Sequence, residues 1–271
     1  MLFSSLLSTT LALSTSIWAV SAHDAVQARS SLESRQYSDS DLATVITTCT
    51  ESGTFAMSFD DGPYMYGSSI AKYFEQHGSL ASFFVNGENY DCIYDYADDL
   101  IERYQAGHLI GSHTWGHDDV TTLNADEFNQ QLDLVETALA KILGVKPRFF
   151  RPPYGTYNNQ ALKILKERGY TVVTWDFDSG DSTGSTPDQS VEAYSTIYGD
   201  YPKPHMALNH ETYAGTAQEI VPKVVPKLLL AGYKLVPISD CLGVDPYQSV
   251  FKAGTRDDTW TCDGTPGPGD N

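Results

Sequence analysis

Thr54-Phe55-Ala56-Met57-Ser58-Phe59-Asp60-Asp61-Gly62-Pro63 is an apolar run closed by two adjacent carboxylates and a Gly-Pro turn signal. Such a run reads as a buried strand with its exit marked. Successive strand side chains alternate faces, so Asp60 and Asp61 should not point the same way, and one can hold a metal while its neighbour handles protons. The plainer alternative is a solvated turn, since Asp-Gly is a common turn pair. Similar β-type runs follow at 81–86, 108–112, 148–151, 170–177, 205–209 and 233–238, with helical stretches between most of them. Strands alternating with helices in this way predict an α/β fold, a single distorted (β/α) barrel of about seven parallel strands. The residues that carry chemistry follow strand candidates, which would gather them into a site at the C-terminal mouth of the strands.

The helices announce their ends. Asn124 is placed to cap a helix whose apolar positions Phe128, Leu132, Val135, Leu139 and Ile142 recur at three and four residue steps and stop at Gly144. Asn158 or Asn159 opens the next, which ends at Gly169. Thr186-Pro187-Asp188-Gln189 and Thr216-Ala217-Gln218-Glu219 both match capping boxes. Pro222 and Pro226 should kink the last helix or delay its start until Val221.

A chain of 271 residues, 41% of them hydrophobic, can bury one sizeable core. Residues 1–22 contain no charge, carry an apolar run and end in small residues, as a secretory signal peptide does. Residues 23–44 read as a leader, either processed at Ser34-Arg35-Gln36 or simply flexible. The folded domain is expected over 45–245 and a Gly/Pro-rich tail over 246–271. No later stretch approaches the roughly 20 apolar residues of a membrane span, so a secreted, extracellular protein is expected, acting as a monomer. Cys49, Cys92, Cys241 and Cys262 then suggest disulfides. Of three connectivities, Cys49–Cys241 is expected because it staples the start of the domain to its close, leaving Cys92–Cys262 to pin the tail against a loop. A formal net charge of −18 argues against nucleic acid and anionic membranes as partners, both being polyanions.

His113 and His117 are four apart, so on a helical turn both imidazoles would project from one face and could bind one divalent ion. Alone, such a pair more often sits half-buried in a loop. Asp61 would complete two histidines and a carboxylate, a three-ligand set with positions left open for water and substrate. The turn reading of Asp60-Asp61 loses ground to an ordered series of further motifs: Arg151-Pro152-Pro153-Tyr154-Gly155, Asp178-Ser179-Gly180-Asp181 and Leu208-Asn209-His210.

In that order and at strand exits, these motifs resemble those of the NodB-homology polysaccharide deacetylases, carbohydrate esterase family 4. The likeness spans about residues 45–243. Asp60-Asp61-Gly62-Pro63-Tyr64, Phe83-Phe84-Val85-Asn86-Gly87 and Asp240-Cys241-Leu242-Gly243 are most similar to the secreted fungal chitin deacetylases. The resemblance implies that Asp60 is the general base and that Asp61, His113 and His117 bind a divalent metal, usually zinc, with cobalt or manganese as alternatives. Arg151 would pair with Asp60, and the Tyr154 backbone N–H would meet the oxyanion. His210 would protonate the leaving amine, held by Asp178, whose charge would raise the imidazole pKa. Leu208 and Trp175 would wall the acetyl methyl, although strand positions of this kind are more often core. Ser182 stands where the family usually has an aromatic, which bears on that pocket. Tyr64, Tyr66 and Tyr90 are candidates to stack on sugar faces. The implied activity is removal of N-acetyl groups from chitin or chitooligosaccharides. The alternatives are an acetylxylan esterase of the same fold and a weakly catalytic protein that binds and masks chitin.

Overall fold

All nine residues of the strand that carries the aspartate pair are buried, as befits a parallel strand covered on both faces. The computed structural model describes residues 38–269. The expected signal peptide, and most of the leader, fall outside the described residues, as do residues 270 and 271. Among the described residues no helix is long and apolar enough to cross a membrane. The strands are β1 Val45–Ile46, β2 Thr54–Gly62, β3 Ser82–Val85, β4 Leu109–Ser112, β5 Val145–Pro147, β6 Phe149–Phe150, β7 Thr171–Val173, β8 Phe177–Asp178, β9 His205–His210, β10 Lys234–Leu235 and β11 Tyr247–Val250. The helices of use below are α1 Gly67–Gln76, α2 Ala97–Ala106, α3 Ala125–Leu143, α4 Asn159–Glu167, α5 Pro187–Ala193, α6 Ser195–Tyr198, α7 Val221–Ala231 and α8 Ile238–Leu242.

The main sheet runs β1-β7-β6-β4-β3-β2-β9-β8, and every pairing in it is parallel. Each expected run appears in it, and the barrel is incomplete in a specific way. The run over 170–177 breaks into β7 and β8, which do not pair: the Thr174 N–H donates to Ile46 O and the Asp176 N–H to Met206 O. The sheet is therefore a curled, open half-barrel with Trp175 at its seam. β10 adds itself parallel to the first residues of β2, and β3 takes over from Ser58 onward.

Helix α3 is capped at Asn124 as expected, through a capping box with Glu127 that the sequence reading did not name, and closes on a left-handed Gly144. Its buried face includes Phe128, Leu132, Val135, Leu139 and Ile142, each contributing on the order of 2 kcal/mol by removal from water. Asn158 caps α4 and Thr186 caps α5, the latter with Pro187 in its first turn. The proline-rich helix α7 does start at Val221. The Thr216 capping box, in contrast, does not form. Residues Thr216–Ile220 make a π-helical turn instead, and the Thr216 hydroxyl donates to Asp181 Oδ2 at 2.7 Å.

Cys49 is bonded to Cys241 and Cys92 to Cys262. The Gly/Pro-rich tail packs on the domain, as the expected Cys92–Cys262 pairing requires, and belongs to the same compact unit as the barrel. β11 pairs antiparallel with β5, the Gly254 N–H donates to Lys141 O of α3, and Cys262 is buried. The boundary expected near residue 245 is thus a change of composition and not of packing.

Candidate active site

β2 and β9 run in register through Phe59↔Asn209 and Asp60↔His210, so the aspartate and the histidine are neighbours at the sheet's C-terminal edge. Asp60 Oδ1 accepts from Arg151 Nη1 at 2.8 Å. That guanidinium is fully buried and also donates to Ser58 Oγ at 2.7 Å and Thr174 O at 3.0 Å. The Phe84 ring lies 4.3 Å beneath it. Burial pushes the Arg151 pKa down and the Asp60 charge opposes the fall.

The adjacent Asp61 does not obey strand alternation. Its φ is +70°, a left-handed conformation that Asp tolerates better than most residues, and the pairing of β2 with β3 shifts register just there. Both carboxylates consequently reach the same cluster: His113 Nε2 lies 3.8 Å from Asp60 Oδ2 and 3.5 Å from Asp61 Oδ1. His117 Nε2 is 3.1 Å from the same Asp61 oxygen. The division between the two aspartates comes from which partners each meets, Arg151 for one and the imidazoles for the other.

The histidines are not on a helical turn, as their spacing suggested. They flank a loop in which Thr114 has φ +68° and His117 φ +60°. The Asn86 amide donates to the His113 and Thr114 carbonyls, and the buried Gln131 Oε1 accepts from the Trp115 and Gly116 N–H groups, both at 2.8 Å. His113 Nδ1–H donates to Arg151 O at 2.7 Å, which sets the tautomer and leaves Nε2 as the lone-pair nitrogen.

Asp61, His113 and His117 can each present one ligand atom with all three within 4.8 Å of one another. Asp61 Oδ1 is buried and has no hydrogen-bond donor, although two imidazole nitrogens approach it. Burial alone would raise the Asp61 pKa, but the two imidazoles overcome that and hold it well below the usual carboxylate range. A buried, ionised carboxylate facing two imidazole nitrogens fits a divalent cation.

The expected partner of His210 is corrected. His210 Nδ1–H donates to Asp181 Oδ1 at 2.8 Å, and its backbone N–H donates to Asp181 Oδ2 at 2.8 Å. Asp178, three residues earlier, is exposed. It caps its own loop by accepting from the Gly180 N–H. Burial pushes the His210 pKa down, but Asp181, with Asp60 and Asp61 behind it, raises it to about 9.

A cavity of about 490 Å³ is lined by all of Asp60, Asp61, His113, His117, Tyr154, Trp175, Asp178, Leu208 and His210. Arg151 lies beneath it. Leu208 is buried and Trp175 half-buried. Ser182 and Thr183 also line the cavity. Tyr154, with φ +59°, sets its ring against His117 at 4.8 Å. Around the mouth lie Tyr90, Tyr154 and Tyr213, exposed by 47%, 67% and 36%. Tyr64 packs on both Tyr66 and Tyr90. Sequence reasoning missed Asn86, Gln131, Ser58 and the buried pair Arg103–Glu211. In that pair Arg103 Nη1 donates to Glu211 Oε2 at 2.6 Å while the Tyr64 N–H donates to Glu211 Oε1, tying the end of β9 to the loop after β2. No spacing signal marks such long-range partners.

A polysaccharide deacetylase family model matches residues 47–173. A chitin deacetylase of Pestalotiopsis sp is 35% identical over 84% of this chain and 76% of its own length. One from Arthroderma benhamiae is 32% identical over 78% of this chain, which spans only 57% of that longer protein. The solved chitin deacetylase of the fungal pathogen Colletotrichum lindemuthianum superposes with a TM-score of 0.73 at 28% identity, covering 80% of this chain and 99% of that one. With its half-barrel, its ordered motifs and these relatives, the chain belongs to the polysaccharide deacetylase family.

Proposed function

We propose that the protein hydrolyses the acetamide groups of N-acetylglucosamine units in chitin or chitooligosaccharides, giving acetate and the free amine. The observation that carries this reading is the placement of two different proton-handling groups in register on neighbouring strands. Asp60 is paired with a buried arginine, His210 is raised to about 9 by Asp181, and both line the same cavity as Asp61, His113 and His117. A binding protein needs neither group, and an ester needs less help with its leaving group than an amide does.

A divalent ion, zinc by preference of two imidazoles and a carboxylate, would lower the pKa of a bound water and polarise the acetamide carbonyl. Asp60 accepts the proton of the attacking water, with Arg151 fixing the carboxylate in place. The backbone N–H of Tyr154, aimed by Pro152 and Pro153, supports the developing oxyanion. His210, protonated below about 9, donates to the departing amine nitrogen. Leu208 and Trp175 wall the acetyl methyl, and the exposed tyrosines of the rim receive neighbouring sugar faces through their C–H groups. Two disulfides closing loops of 192 and 170 residues suit an oxidising, extracellular compartment.

The test is acetate release from N-acetylglucosamine oligomers and from acetylxylan, with and without a chelator, comparing the parent protein with Asp60→Asn. Chelator-sensitive release from the oligomers, lost in the variant, is the expected result. Release only from acetylxylan, or unchanged turnover in the variant, would overturn the reading.

A further inference from the structure

The loop that carries both histidines is held from a direction the chemistry does not explain. Its central residue, Trp115, is 1% exposed. One side of the indole packs so closely on Gly87 that a Cβ there would run into the ring. Gly87 and Glu88 also donate their N–H groups to the Trp115 carbonyl, both at 2.9 Å. The indole Nε1–H donates to Thr265 Oγ1 at 3.2 Å, and that hydroxyl has two acceptors for its one proton, Cys262 O at 2.7 Å and Glu88 Oε2 at 3.0 Å. Three residues before Thr265, Cys262 is bonded to Cys92, and its sulfur lies 3.6 Å from Gly87 O. A Cβ on Gly116 would stand 3.3 Å from the carbonyl of Gly267. The C-terminal segment therefore crosses the back of residues 113–117 and is locked there covalently.

The loop needs such support, because Thr114 and His117 occupy left-handed conformations, which residues with a Cβ hold only where the surroundings impose them. Asn86 and Gln131 hold the loop's backbone, and the C-terminal segment holds its one large side chain. Released from that segment, Trp115 would be free to leave its slot, and His117, two residues on, would relax from the position it shares with Asp61.

We propose that residues 262–267 form a strap whose task is to position the metal-binding loop, with Trp115 and Thr265 as positioning residues and the Cys92–Cys262 disulfide as its latch. The proposal rests on the metal-site reading of Asp61, His113 and His117. The other disulfide is a built-in comparison. Cys49 precedes β2 whereas the site lies at that strand's exit, so it stiffens the fold without touching the loop.

The experiment measures zinc affinity by competition with a chromophoric chelator on the full chain, alongside kcat, KM and the melting temperature of the metal-free protein. The variants are Thr265→Val, Thr265→Ser, the pair Cys92→Ser/Cys262→Ser and the pair Cys49→Ser/Cys241→Ser. Zinc affinity is expected to fall about tenfold in Thr265→Val, the lower end for loss of a ligand-supporting contact. It should fall further in Cys92→Ser/Cys262→Ser. In both, kcat should drop with KM little changed, and Thr265→Ser should restore parent values. Cys49→Ser/Cys241→Ser should melt earlier yet bind zinc as the parent does. Parent-like zinc affinity in Thr265→Val, or an equal loss in the Cys49/Cys241 pair, would overturn the strap. A parent protein that binds no zinc would instead overturn the site reading on which it rests.

Discussion

Replacing Asp181 by Asn tests the acid side of the site more sharply than removing His210 itself. Asp181 accepts two hydrogen bonds from His210, through Nδ1 and the backbone N–H, and one from Thr216. An amide at this position can still accept from the backbone, but its NH₂ would face Nδ1, which an imidazolium must also occupy with a proton. The protonated form then loses its partner. In the parent, His210 is raised from 6.5 to about 9, which corresponds to about 3 kcal/mol favouring the charged form. Return to its ordinary value would leave about 3% of the imidazole protonated at pH 8 instead of about 90%, a loss of roughly thirtyfold in acid-dependent turnover. At pH 6 both forms are mostly protonated and the difference should shrink below twofold. The assay is kcat/KM for acetate release from an N-acetylglucosamine oligomer between roughly pH 5 and pH 10, with Asp178→Asn alongside. The alkaline limb should move down by more than one pH unit in Asp181→Asn and stay in place in Asp178→Asn. An unmoved limb in Asp181→Asn would refute the assignment, and a moved one in Asp178→Asn alone would restore the pairing first read from the sequence.

Asp60→Asn should cut turnover by two to four orders of magnitude, on the order expected for a general base, with zinc affinity preserved; Asp61→Asn should chiefly weaken zinc binding, both read by chelator competition beside kinetics. Glu211→Gln, which leaves Asp99 as the remaining carboxylate partner of the buried Arg103, should cost about 1.5 to 3 kcal/mol in urea unfolding, the range for losing a charge-assisted hydrogen bond. The His210–Asp181 pair also couples stability to pH. Because the folded-state pKa lies above the ordinary 6.5, its contribution is complete below about pH 6.5 and is lost as pH rises through about 9, which chemical denaturation across that window will register. The net charge of −18 should retain a cationic product, so inhibition by chitosan oligomers is expected at low salt and should fade at about 1 M, where screening acts within roughly 3 Å.

The strands were legible because β-type apolar runs end in turn signals, and the metal triad because Asp61 and the histidine pair sit at the exits of two such runs. Local geometry was harder to read. Alternation along β2 predicts opposed carboxylates, but the left-handed Asp61 turns its side chain back toward the cluster that Asp60 also reaches. Asp178 and Asp181 belong to one short motif, and only the Gly180 turn, with φ +74°, decides which of them faces His210. Thr216 looks like a helix cap in sequence because a cap and a buried hydroxyl donor use the same residue type. The anchorage of the C-terminal segment was legible in its cysteine, paired 170 residues away, but its linker-like composition gave no sign that Thr265 and Gly267 pack against the histidine loop.

Among the described residues, the non-glycine positions with left-handed backbone are Asp61, Thr114, His117 and Tyr154, and every one lies in the cavity wall or in the histidine loop that forms part of it. The sites least tolerant of substitution are therefore also those where glycine would make the protein more stable. Selection for robustness alone would erode the catalytic centre first. Attempts to raise thermal tolerance by laboratory evolution should accordingly screen for activity at every round, since the easiest gains in melting temperature lie where function would be lost.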